Sequence, residues 1–60
     1  MSITTSVSDV IENLTEALDN ANKHESGNNA AGTRLRKQLQ DAANMCKTLR
    51  KQVQEERNTR

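Results

Sequence analysis

Five cations crowd one side of the second half of this chain. On a helical wheel Arg36, Lys37, Lys47, Arg50 and Lys51 fall in a band of about 140°. Gln40, Asn44 and Gln54 share the band, and Glu55 stands at its edge. Lys37 and Lys47 are separated by about 15 Å along such a helix. Cations spaced in this way on one face suit the phosphates of a duplex, because neutralising phosphates releases condensed counterions and drives sequence-independent binding. Arg34 lies across the apolar seam from the band and completes the candidate phosphate contacts, while Arg57 and Arg60 add charge near the end. With no Phe, Tyr or Trp to stack on bases, recognition of single strands is disfavoured, and a nucleic-acid partner, where there is one, is expected to be double-stranded DNA.

Other chemistry has little to stand on. His24 is the sole histidine and sits beside a turn, and the carboxylates of the first half have no convergent partner. The sequence reads as non-enzymatic, with no small-molecule substrate and no cofactor. His24 reads as a solvated residue near a helix end, and Cys46 as a small buried hydrophobe. An interchain disulfide through Cys46 requires two parallel helices in register. No Gly-rich phosphate loop and no metal-ligand spacing is present.

The elements that must carry these residues follow from periodicity. Val7, Val10, Ile11, Leu14, Ala17, Leu18 and Ala21 repeat at helical spacing, so a first helix is expected over about 6–24, with Ser6 as N-cap and Asp9 in its first turn. Asp9, Glu12, Glu16 and Asp19 form its acidic outer side, and residues 1–5 read as a loose arm. At 25–28 the pattern breaks: Gly27 suits a left-handed C-cap and Asn28 a cap for the next helix. A second helix is expected over about 29–57, with a tail at 58–60. So short a turn makes the helices antiparallel neighbours. Ala30, Ala31 and Gly32 face Ala17 and Ala21 near the turn, and Gly32, poor in a helix, implies close packing there. The fold class is therefore all-α: a two-helix hairpin in one domain, with the second helix longer.

Leu35, Leu39, Ala42, Cys46, Leu49 and Val53 step by four and three, the seam of a left-handed coiled coil. A first helix of about 27 Å leaves roughly three turns of a second helix of about 43 Å uncovered, including Leu49 and Val53. A chain of 60 residues holding ten Ile, Leu and Val seldom buries enough surface alone. A homo-oligomer is expected, a dimer foremost, built as a coiled coil or a four-helix bundle. One cysteine and no long apolar stretch point to a soluble protein of a reducing compartment without a membrane span. Net charge is +1 overall, yet residues 1–32 carry five acids against Lys23, and residues 33–60 carry eight Lys or Arg against three acids. Such asymmetry suggests an anionic partner.

Pattern alone leaves two readings open. Lys and Arg beside a heptad seam also occur in ordinary coiled coils, where they pair with acids of a neighbouring helix, and the acidic first helix is available for that role. The alternative to DNA binding is thus a helical protein-protein interaction or assembly module without nucleic acid.

The run Gly27-Asn28-Asn29-Ala30-Ala31-Gly32-Thr33-Arg34-Leu35-Arg36-Lys37 resembles the turn and second-helix start of the bacterial linker-histone-like proteins, the chlamydial-type histone-like DNA-binding family. Leu49-Arg50-Lys51-Gln52-Val53-Gln54-Glu55 resembles the end of that helix in short members. The resemblance covers about residues 7–58. It implies a small, helical, DNA-associated chromatin-like protein located with DNA, as in a nucleoid, with nucleus and virion left open. Two departures stand out: Asn29 occupies a position where the family usually has Lys, and the Lys-rich tail of the chlamydial members is not among these residues. DNA affinity is therefore expected to come from the helical surface, and to be weak and salt-sensitive.

Overall fold

The computed structural model describes residues 2–59, which form two helices: α1, Ile3–Glu25, and α2, Asn29–Asn58. Met1 and Arg60, the ends of the expected arm and tail, lie outside the described residues. The hairpin measures 50 × 15 × 13 Å.

α1 starts earlier than its apolar pattern suggested. Ser2, not Ser6, is the N-cap: its hydroxyl oxygen accepts from the Thr5 amide at 3.0 Å, and the Ser6 amide donates to the Ser2 carbonyl at 3.1 Å. With those amide groups satisfied one turn sooner, residues 3–5 are helical rather than a loose arm, and Asp9 lies beyond the first turn. The 23 residues of α1 span about 35 Å, against about 45 Å for the 30 of α2. About two turns of α2 extend past α1 instead of three. Leu49 is consequently half-buried, and Val53 is 41% exposed.

The turn behaves as its residue types require. Gly27 has φ 102°, its amide donates to the His24 carbonyl at 3.0 Å, and the Asn28 amide donates to the Lys23 carbonyl at 3.0 Å. These two bonds form a Schellman closure, which needs a residue without a Cβ at the left-handed position. The Asn28 side-chain oxygen then accepts from the Ala31 amide at 3.1 Å and opens α2.

The interface between the helices is narrow and built from small residues. Val10, Ala17, Ala31 and Ala42 are its buried apolar residues, and Asn20 is buried with them. Small side chains permit close approach of the two axes. Asn20 Nδ2 donates to Gln38 Oε1 at 2.8 Å, and Asn13 Nδ2 donates to the Gln38 carbonyl at 3.2 Å, so polar groups inside the contact are paired.

This arrangement divides the expected seam. α2 meets α1 through Ala31, Leu35, Gln38, Ala42, Met45, Leu49 and Gln52, a heptad row shifted toward the polar side. Leu35, Ala42 and Leu49 belong to it, whereas Leu39, Cys46 and Val53 stay exposed. Cys46 is thus open to solvent rather than a buried hydrophobe. α1 divides likewise: Val10 and Ala17 turn inward while Val7, Ile11, Leu14 and Leu18 remain exposed. The inward side of α1 presents Asn13 and Asn20, and these select Gln38 as partner over the larger aliphatics.

Candidate nucleic-acid interface

α2 positions the cations by its periodicity. Arg36, Lys37, Lys47, Arg50 and Lys51 are all exposed and are turned roughly 90° or more of helical arc from the row that meets α1. From Arg36 to Lys51 this outer face runs about 22 Å. Arg36 and Lys37 also line a shallow groove with Thr33, Leu39 and Gln40. Gln40 Nε2 donates to Asn44 Oδ1 at 3.3 Å and Gln54 Nε2 to Asn58 Oδ1 at 3.2 Å, which leaves the polar residues of the face tied to one another along the helix.

Arg34 is placed differently. Its Nε donates to Asn20 Oδ1 at 3.3 Å, so the guanidinium is held against α1 and away from the outer face. The residue joins the polar chain Arg34, Asn20, Gln38 that links the helices. The apolar periodicity gives no hint of that chain. A signal for it existed in Ser6, Asn13 and Asn20, which are spaced by seven, in phase with Val10 and Ala17.

The acids of α1 do not occupy the bases of α2. Among the described residues the ion pair formed is Lys23 with Asp19, at 3.0 Å, four residues apart and well exposed, a pair of small energetic value. No ion pair joins the helices among those residues, so the hairpin leaves the outer cations available. His24, although exposed, lies over Gly32: a Cβ there would come within 2.5 Å of His24 Nδ1. Gly32 therefore is closely packed, but under the His24 ring rather than against Ala17 or Ala21, and Ala30 of the same expected set is exposed. Among the described residues no cluster of His, Cys, Asp or Glu is arranged to hold a metal ion. Among those residues, too, no helix is long and apolar enough to cross a membrane.

An acidic helix folded against a basic one, with the exposed cations of α2 making no ion pair with α1 among the described residues, defines a small two-helix module with one basic outer face. The family model described as Histone H1-like protein Hc1 matches residues 4–59, and the chain belongs to that family. Comparisons with curated proteins and with solved structures return no match. Membership of a histone H1-like family suggests DNA as the partner.

Proposed function

We propose that this chain is a histone-like, non-enzymatic DNA-binding protein that contacts duplex phosphates through the outer face of α2, without base specificity, and acts where DNA is packaged. The observation that carries the reading is the exposed set Arg36, Lys37, Lys47, Arg50 and Lys51, to which α1 contributes no counter-ion. Membership of the histone H1-like family supports it. Arg34 contributes to the local potential from the side while holding Asn20. Flexible cations on one helical face match the regular negative charge of a duplex without reading base edges.

Titration against unrelated duplexes tests this. Five phosphate contacts give a slope of log K on log salt near about −4.5, hence a loss of roughly 500-fold between about 50 and 200 mM salt. Equal affinity for unrelated sequences, with that slope, is the expected result. Failure to bind at the lower salt overturns the proposal and leaves the protein-interaction module as the better reading.

A further inference from the structure

The cations of α2 are not spread evenly along its outer face. Arg36 and Lys37 form one group, Lys47, Arg50 and Lys51 form a second, and residues 38–46 between them hold no Lys or Arg. At 1.5 Å per residue the groups are about 15 Å apart at their nearest members, about 22 Å at their farthest, and about 19 Å between centres. The gap presents exposed Gln40, Ala43 and Asn44, and exposed Asp41 stands on its flank. Ala43 falls midway between the two groups, about 10 Å from each centre.

We propose that α2 lies across the major groove of a duplex, with Arg36 and Lys37 on the phosphate row of one strand, Lys47, Arg50 and Lys51 on the facing row of the other, and residues 40–44 spanning the open groove. The crossing rests on the DNA-binding reading above and names how the duplex is engaged.

Spacing selects this groove. Openings of about 12 Å for the major groove and about 6 Å for the minor, each widened by about 6 Å for the phosphate groups, place facing rows about 18 Å and about 12 Å apart. The major-groove distance falls inside the range that the two cation groups cover, whereas the minor-groove distance is shorter than their nearest approach. Other placements match the charges less well. A helix laid along one strand meets phosphates at regular intervals, and those opposite the gap face neutral side chains with the Asp41 carboxylate beside them. A helix inserted lengthwise into the groove aims Lys47, which lies within about 20° of the line opposite the buried row, at the base edges of the groove floor and away from the phosphates.

The side chains over the groove suit a crossing that does not read sequence. Gln40 Nε2 donates to Asn44 Oδ1 at 3.3 Å, so each amide has one of its two halves engaged. Bidentate recognition of adenine needs both halves of a single amide. The shallow groove formed by Thr33, Arg36, Lys37 and Gln40 gives a phosphate of the first row its seat.

Two duplexes modified without change of charge test the choice of groove. In one, glucosylated 5-hydroxymethylcytosine fills the major groove with a neutral sugar; in the other, N2-alkylated guanine places a neutral chain in the minor groove. Relative to the unmodified duplex, affinity is expected to fall about tenfold or more on the first and to stay within about twofold on the second. Any other ranking overturns the proposal. Ala43→Lys tests the crossing from the protein side, since it adds a cation at an exposed helical position of similar propensity. Over an open groove the added charge meets no phosphate, and the slope of log K on log salt is expected to stay within about 0.3 of the wild-type value. A slope steeper by about 0.9 means a further phosphate contact at the gap; it overturns the crossing and leaves duplex binding standing. Failure of the wild type to bind the unmodified duplex at about 50 mM salt instead refutes the DNA-binding reading, and the crossing with it.

Discussion

The side-chain amide of Asn20 donates to Gln38 Oε1 at 2.8 Å across the hairpin, while its oxygen accepts from Arg34 Nε at 3.3 Å. Asn20 is buried, so both partners depend on it inside a contact that water does not reach freely. Asn20→Ala is expected to destabilise the fold by about 1–2 kcal/mol, because it leaves Gln38 and Arg34 without the groups they were paired with. In a domain of this size that loss lowers the melting temperature by roughly 5–15 °C. An unchanged melting temperature would show that the polar chain contributes nothing to holding the helices together.

Ala31 is 0% exposed where α2 leaves the turn, whereas Ala30 beside it is exposed. Ala31→Leu therefore forces the helices apart and costs about 1–3 kcal/mol. Ala30→Leu stays within about 0.5 kcal/mol of the parent. Urea unfolding of the two variants checks the contrast, and equal midpoints contradict the close approach at the turn.

Gly32 and His24 are coupled through space. A Cβ at Gly32 comes within 2.5 Å of His24 Nδ1 and 2.9 Å of Cε1. In a His24→Ala background, Gly32→Ala gains about 1 kcal/mol from helix propensity alone. With His24 present the gain is smaller, because the ring has to leave its seat. A double-mutant cycle measures the difference, and additive effects would mean that the ring does not rest on Gly32 in solution.

The outer cations and Arg34 separate by readout. Exchanging Arg36, Lys37, Lys47 and Arg50 for Gln is expected to leave thermal stability nearly unchanged, since all four are exposed and make no ion pair with α1. The same exchange reduces the salt slope of duplex binding by about 3.6. Arg34→Gln does the opposite: it lowers stability by about 1 kcal/mol through loss of the bond to Asn20 and changes the slope by less than one. If Arg34→Gln weakens DNA binding as much as Lys47→Gln does, the side position of Arg34 is part of the interface.

Periodicity and turn chemistry are local properties, and they were legible before any fold was considered. Apolar spacing of three and four specifies two helices, Gly27 and Asn28 specify a tight link, and the wheel already gathers Arg36, Lys37, Lys47, Arg50 and Lys51 on one face. The division of charge between the halves is equally a matter of composition. What spacing does not reveal is which of two adjacent rows turns inward. Leu35, Leu39, Ala42, Cys46, Leu49 and Val53 read as one seam, yet only Leu35, Ala42 and Leu49 meet α1.

The tertiary contact decides this because a buried amide must find a partner. Asn13 and Asn20 bring Gln38 into the interface, and alanines let the backbones close around them, so the largest aliphatics are left on the open side. The helical start at Ile3 belongs to the same limit: Ser2 and Ser6 are equally good caps on paper, and the observed choice satisfies the Thr5 and Ser6 amides a turn earlier. The basic face was thus written into α2 by helical repeat, whereas its freedom from the acids of α1 depended on how the two helices rolled against each other.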